Sequence, residues 1–164
     1  MEARVRWWYA DIARNKSETG NRAETMGRVL TEARIENLKD LWDVERGMKP
    51  ADQARKLEIK DALVDTWATL LSMPTKLINE LGLKKTSSKR TTSSVGAAEA
   101  GIYEAVRLTI QGRSCTMDVK EVPDDVPVLV GQISLEHLDF VVDLRSRTLI
   151  GNPAHGGEHV YELY

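Results

Sequence analysis

Apolar and polar residues alternate along much of this chain with a period of two, the mark of half-buried β-strands. Val29, Thr31, Ala33 and Ile35 fall on one face of a segment beginning near Gly27, with Arg28, Leu30, Glu32 and Arg34 on the other. Leu57 and Ile59 alternate with charged neighbours before an apolar run, Ala62 to Val64, leads into Asp65. Val106, Leu108 and Ile110 alternate with Arg107 and Thr109. Cys115, Met117 and Val119 then alternate with Thr116, Asp118 and Lys120. The Gly112-Arg113 pair between these two runs predicts a hairpin turn. Between Leu38 and Arg46 the apolar spacing fits either a helix or a strand, and we read it as strand.

Two short helices interrupt the pattern. Ser72 is placed to cap one, with Pro74 in its first turn, Leu77, Ile78 and Leu81 facing inward and Gly82 ending it. Ser134 is placed to cap another, with Leu135 and Leu138 packing. Residues 84–101 are rich in Ser, Thr, Ala and Gly and poor in large apolar side chains. They fit a hairpin over a cleft or a loose surface loop, and composition alone favours the loop. Short strands, turn signals and two brief helices predict an all-β fold, a small closed β-barrel.

The apolar run ends in candidate chemistry. Ala62-Leu63-Val64-Asp65-Thr66-Trp67-Ala68 places an aspartate just past a buried strand. One carboxylate can work on a water if a second faces it. Like charges that close cannot both ionise, so the pair shares a proton and its apparent pKa values split. The ionised member takes a proton from water while the protonated one polarises a peptide carbonyl. No second Asp-Thr or Asp-Ser pair occurs in the chain. The partner must then come from another copy, and a two-fold axis supplies it.

The loop resembles the active-site loop of retropepsin-like (retroviral-type) aspartic proteases, including bacterial clan AA aspartyl proteases, which reads two apolar residues followed by Asp-Thr-Gly-Ala. Val128-Leu129-Val130-Gly131 resembles that family's second signature, an apolar triplet ending in glycine that braces the active-site loop. Ser134 to Phe140 falls where the family has a short helix, and Phe140-Val141-Val142 resembles the strand after it. Pro153-Ala154-His155-Gly156-Gly157 resembles bacterial members. The resemblance runs from Met26 to Tyr164. It implies a retropepsin-like barrel at residues 26–164 and a homodimeric endopeptidase acting on peptide or protein substrates, with Asp65 catalytic and no metal or cofactor. Thr66 resembles the threonine that bonds across the dimer, and Ala68 the small residue beside the cleft. Val95, Gly96 and Ala97 correspond to the flap.

One position departs from the family: Trp67 stands where the motif has glycine. Glycine allows unusual dihedrals and close backbone approach, whereas an indole brings about 150–250 Å² of surface. Two-fold symmetry would place two indoles in one small site. Trp67 is therefore expected to strain the loop and impair catalysis. The competing expectation is a catalytically silent dimer that binds peptides or partners.

Composition narrows the setting. At 164 residues the chain holds one domain large enough to bury its own core. A net charge of -2 argues against nucleic acid as the main partner. No apolar run approaches the roughly 18 residues a membrane span needs. A lone Cys115 fits a reducing, cytoplasmic setting or a buried thiol. Residues 1–25 mix Arg4, Arg6, Trp7, Trp8 and Tyr9 with polar residues and lack the apolar core of a secretory signal. We read them as a loosely ordered extension, a tail or sequence upstream of a start at Met26. The same arginine and tryptophan mixture also fits a membrane interface, the less favoured of the two readings. His155-Gly156-Gly157-Glu158-His159 matches a His-x-x-Glu-His zinc pattern. That pattern needs a helix, which two glycines and Pro153 oppose, so no metal site is expected. His137 stands alone, as a surface or helix-end residue. A Gly-x-Ser-x-Gly elbow, a Cys/His pairing and a glycine-rich phosphate loop are all missing.

Overall fold

The computed structural model describes residues 28–93 and 96–161. The N-terminal extension and Val95 lie outside them. The described chain is mostly β with a few short helices. One sheet holds β1 (Leu30–Asn37), β2 (Lys56–Val64), β3 (Leu71–Pro74), β4 (Lys85–Ser93), β5 (Gly96–Ile110), β6 (Arg113–Val122) and β7 (Leu129–Val130). Its order is β1-β2-β7-β3-β6-β5-β4, and an added β1–β5 pairing closes the first six positions into a ring with β4 outside it. β8 (Phe140–Asp143) and β9 (Thr148–Gly151) form a separate pair.

The alternation read from the sequence is the alternation that packs the ring. Thr31 and Ala33 of β1 are buried between exposed neighbours, with Ile35 on the same face, and β6 buries Cys115, Met117 and Val119 in alternation. The main core gathers Ala33, Ile35, Cys115, Met117 and Val119 with Val64, Val106, Leu108 and Val130. Leu63 and Leu129, one residue earlier on β2 and β7, belong instead to a small second cluster with Val122 and Val126. Paired in parallel, Leu63 with Leu129 and Val64 with Val130, the two strands thus feed one apolar cluster on each face.

Several local expectations are corrected. Residues Leu38–Glu45 form a helix, α1, rather than a strand. Asn37 decides it: its side-chain oxygen accepts from Asp40 N at 3.0 Å, the bond of an N-cap. Gly47, with φ 71°, turns the chain away after the helix. The next helix, α2, spans Thr75–Glu80 and is not capped by Ser72, which is buried within β3. Ile78 and Leu81 are buried as expected, and Gly82 at φ 64° follows the helix. The third, α3, spans Gln132–His137 with Gly131 at its N-cap position. Ser134 lies inside it, fully buried, with its hydroxyl on Met117 Sδ at 2.9 Å.

The Ser/Thr/Ala-rich segment is a hairpin rather than a loose loop: β4 and β5 pair antiparallel from Lys85 and Tyr103 out to Ser93 and Gly96. Backbone pairing carries a ladder that contributes little to the core, which is why composition hid it. The β5–β6 turn sits one residue earlier than expected, at Gln111 and Gly112, with φ of 47° and 80°. Positive φ at both central residues is the type I′ geometry that matches strand twist. Among the described residues, no helix is long and apolar enough to cross a membrane.

Candidate active site

The sheet order dictates the site. β2 and β3 are consecutive in the chain, yet β7 lies between them. The connection, residues 65–70, must therefore cross the end of β7. Asp65 is the first residue of that crossing. Its backbone N–H donates to Val130 O at 3.0 Å, just as Leu63 N donates to Val128 O at 2.9 Å. Ala68 N closes a turn on Asp65 O at 3.1 Å.

The far side of the loop is held by α3. Gln132 N donates to Ala68 O at 2.7 Å and Ile133 N to Thr69 O at 3.1 Å. The first amides of a helix have no partner within it, and here the loop carbonyls accept from them. Gly131 makes this approach possible. A Cβ there would lie 2.6 Å from Leu70 O, 2.7 Å from Ala68 O and 2.9 Å from the Thr69 carbonyl carbon. The structure thus brings Val128, Leu129, Val130 and Gly131 together with the Asp65 loop.

Asp65 is only 3% exposed. Its Oδ1 accepts from Trp67 N at 2.9 Å, the side chain's one hydrogen bond among the described residues. No buried side-chain oxygen or nitrogen among those residues lacks a partner. Oδ2, with no partner among the described residues, therefore reaches the surface of the described chain. Among the described residues no lysine, arginine or histidine pairs with Asp65. The result is a carboxylate fixed through one oxygen and available through the other.

Thr66 is exposed, its hydroxyl unbonded among the described residues, and Ala68 is half-buried. The expected backbone strain at Trp67 is not found. The described non-glycine residues with positive φ are Gln111, Asp139 and Arg147. What the loop takes from position 67 is an N–H, which tryptophan supplies as well as glycine. The residue stands 75% exposed. Gly96 and Ala97 open β5 opposite Ser93 and Thr92 at the outer end of the β4–β5 hairpin.

The zinc pattern has no helix to act on. Gly156 and Gly157 both have positive φ, and the histidines part company: His155 Nδ1 meets Asp139 Oδ2 at 2.7 Å, while His159 Nε2 meets His137 O at 3.1 Å. Asp139 is a residue sequence reading passed over. It follows α3 in the left-handed region, φ 52°, a position after a helix C-terminus where glycine or asparagine is usual. Its carboxylate also accepts from Asn152 Nδ2 at 3.0 Å and Val160 N at 3.1 Å. The His155 bond, with those two, holds its pKa down at about 2 against the opposing effect of burial. Arg113 completes the clasp, donating to Leu138 O, Asp139 O and Gly157 O and lying over the Phe140 ring at 4.6 Å. Burial raises the Cys115 thiol to about 11, so it stays protonated and inert.

No protein-family model matches the chain, and no curated protein matches it.

Proposed function

We propose that this chain is a retropepsin-like aspartic endopeptidase that works as a homodimer. Two Asp65 carboxylates, one from each copy, share a proton across the two-fold axis. The ionised one draws a proton from a water, which attacks the peptide carbonyl polarised by its protonated partner. The chemistry asks for two carboxylates and water, with no metal or organic cofactor. Thr66, exposed and unbonded among the described residues, is the residue to bond across the axis. The β4–β5 hairpin is the covering flap over an extended peptide. Buried Cys115 suits a reducing, cytoplasmic setting.

The observation that carries this reading is the state of Asp65: a residue only 3% exposed, held by Trp67 N–H through Oδ1, with Oδ2 unclaimed among the described residues. The buried carboxylates Asp40 and Asp139, by contrast, meet partners on both oxygens. The second reading, a silent dimer that binds peptides, is favoured by the exposed Trp67 in the same loop. Cleavage of an unfolded protein between about pH 4 and 7 separates them. The endopeptidase reading expects hydrolysis that is stronger on the acidic side, lost in Asp65→Asn and indifferent to chelators. A folded dimer that cleaves nothing, but cleaves once Trp67→Gly is introduced, supports the silent reading. Activity lost with EDTA and restored by zinc would overturn both.

A further inference from the structure

We propose that the outer edge of β4 takes up an acidic, extended segment of a partner protein as an added strand, with Lys84, Lys85, Lys89 and Arg90 meeting its Asp and Glu side chains. Such binding makes no use of Asp65 and is independent of peptide hydrolysis.

β4 is the last strand of its sheet and pairs only with β5, so its other edge has no strand beside it among the described residues. Backbone N–H and C=O groups along such an edge are a template for another extended chain. Charge selects which chain. Lys84, Lys85, Lys89 and Arg90 are all exposed, and none has an ion pair or a side-chain hydrogen bond among the described residues. No acid occurs among residues 81–98. Past a register shift between Lys85 and Ser87, Lys89 pairs with Ala100 and Arg90 with Glu99. Successive side chains point to opposite faces, so each face of the open edge carries a cation.

The nearby acids belong to inner strands. Glu99 and Glu104 lie on β5, and Glu121, which shares the space over Gly101 with Lys85, lies on β6. Glu104 already accepts from Lys84 N at 3.0 Å, and Glu121 from Thr75 Oγ1 at 2.8 Å. Neighbouring strands are about 4.8 Å apart. An added strand is then about 5 Å from β4 and about 10 Å from β5, beyond the Debye length of about 8 Å at physiological salt. The cations dominate what it meets. They keep out neutral and basic strands, and β4 of a second copy, carrying the same four, is repelled. An acidic strand alone gains. Residues 84–94 contain neither an aromatic side chain, on which bases stack, nor an apolar one that enters a bilayer. An acidic peptide therefore fits this edge better than nucleic acid or membrane.

The test uses the full chain with Asp65→Asn, which prevents turnover, and labelled Thr/Val peptides of equal length bearing two Glu-Asp, two Gln-Asn or two Lys-Arg pairs, followed by anisotropy. At low salt the acidic peptide should bind roughly tenfold or more tightly than its amide twin. The ratio should shrink as salt rises, and hydrogen exchange in residues 86–93 should slow on binding. Lys89→Glu with Arg90→Glu should bring the ratio near one, and adding Lys84→Glu and Lys85→Glu should make the basic peptide bind best. N-methylation of alternate amides of the acidic peptide, in one of the two possible sets, should abolish binding although the charge is kept. No binding of the acidic peptide, equal affinities of the twins, an order unchanged by charge reversal, or full binding of both methylated peptides would each overturn the proposal. So would tighter binding of oligothymidylate or of phosphatidylserine vesicles. Exchange in β4 that is already slow without peptide and quickens on dilution would overturn it too, since a second copy would then cover the edge. Selective acidic binding by a protein whose Asp65 form never cleaves would sink the endopeptidase reading and leave this inference standing.

Discussion

Asp65 and Asp40 are almost equally hidden, at 3% and 1% exposure, and are held in opposite ways. Asp40 spends both oxygens. Lys49 Nζ at 2.6 Å and Arg55 Nη2 at 2.8 Å reach Oδ1, while Arg55 N at 3.0 Å and Nε at 2.7 Å reach Oδ2. The Arg55 bonds, then Lys49, drive its pKa well below the usual carboxylate range despite burial. Asp139 at the C-terminal clasp resembles Asp40, saturated by His155, Asn152 and Val160. Asp65 has a single backbone donor and no cation among the described residues. Burial alone thus says little about what a carboxylate does. The count of donors it has already met separates the staples from the candidate reagent.

Exchanging the amide for the carboxylate breaks the comparison most sharply. Asp65→Asn should lower peptide hydrolysis by roughly 10³-fold or more. Asparagine keeps an oxygen for Trp67 N–H, so the unfolding free energy should move by less than about 1 kcal/mol. Asp40→Ala should do the reverse, removing about 2–4 kcal/mol of stability in urea titrations. The lower part of that range applies because Arg55 and Lys49 are partly exposed and can return to water. If Asp40→Ala proves neutral and Asp65→Asn strongly destabilising, the assignment of roles is inverted.

Gly131→Ala tests the brace between these extremes. Its Cβ would press on the Ala68 and Leu70 carbonyls, so the loop must shift. A loss of about 1–3 kcal/mol is expected, with activity falling by more than stability explains. Unchanged activity and stability would mean the loop adapts freely.

The smallest effect sharpens the staple side. Asp139 has a folded-state pKa of about 2, below the roughly 3.9 of an unfolded aspartate. The stability it contributes is therefore present above about pH 4 and lost as pH falls toward 2. Protection of the Val160 amide, taken relative to its intrinsic exchange rate at each pH, should fall across that window before the ring strands open. Protection that stays level from pH 5 to 2.5 would show that the C-terminal segment is held by other contacts.

Legibility in the sequence followed burial. β1, β5 and β6 were readable because buried and exposed positions alternate along them, so Ile35, Leu108 and Val119 fall in runs of period two. β3 was not, because all four of its residues are buried and Ser72 and Pro74 read as the start of a helix. The brace was expected only from the family resemblance of Val128 to Gly131; the close backbone approach at Gly131 is visible in the structure and not in the sequence. α1 was not readable, since a short amphipathic run of this kind has no decisive period, and a capping bond from Asn37 settled it. β4 was not readable because its Ser, Thr and Lys residues show no apolar face, and pairing with β5 alone defines it. Asp139 was hidden because its partners, at 152, 155 and 160, meet it only through the fold. Trp67 was read as a source of strain on the assumption that the loop uses glycine's dihedral freedom. The loop uses the N–H instead.

The most direct test of the central claim, that two Asp65 carboxylates act together, is mixing. Wild-type protein is equilibrated with increasing Asp65→Asn protein, and cleavage of an unfolded substrate is followed at mildly acidic pH. If each active site takes one aspartate from each copy, mixed dimers are dead and wild-type activity falls steeply as the variant is added. Activity that persists in proportion to the wild-type chains present, or any cleavage by Asp65→Asn alone, would contradict the account.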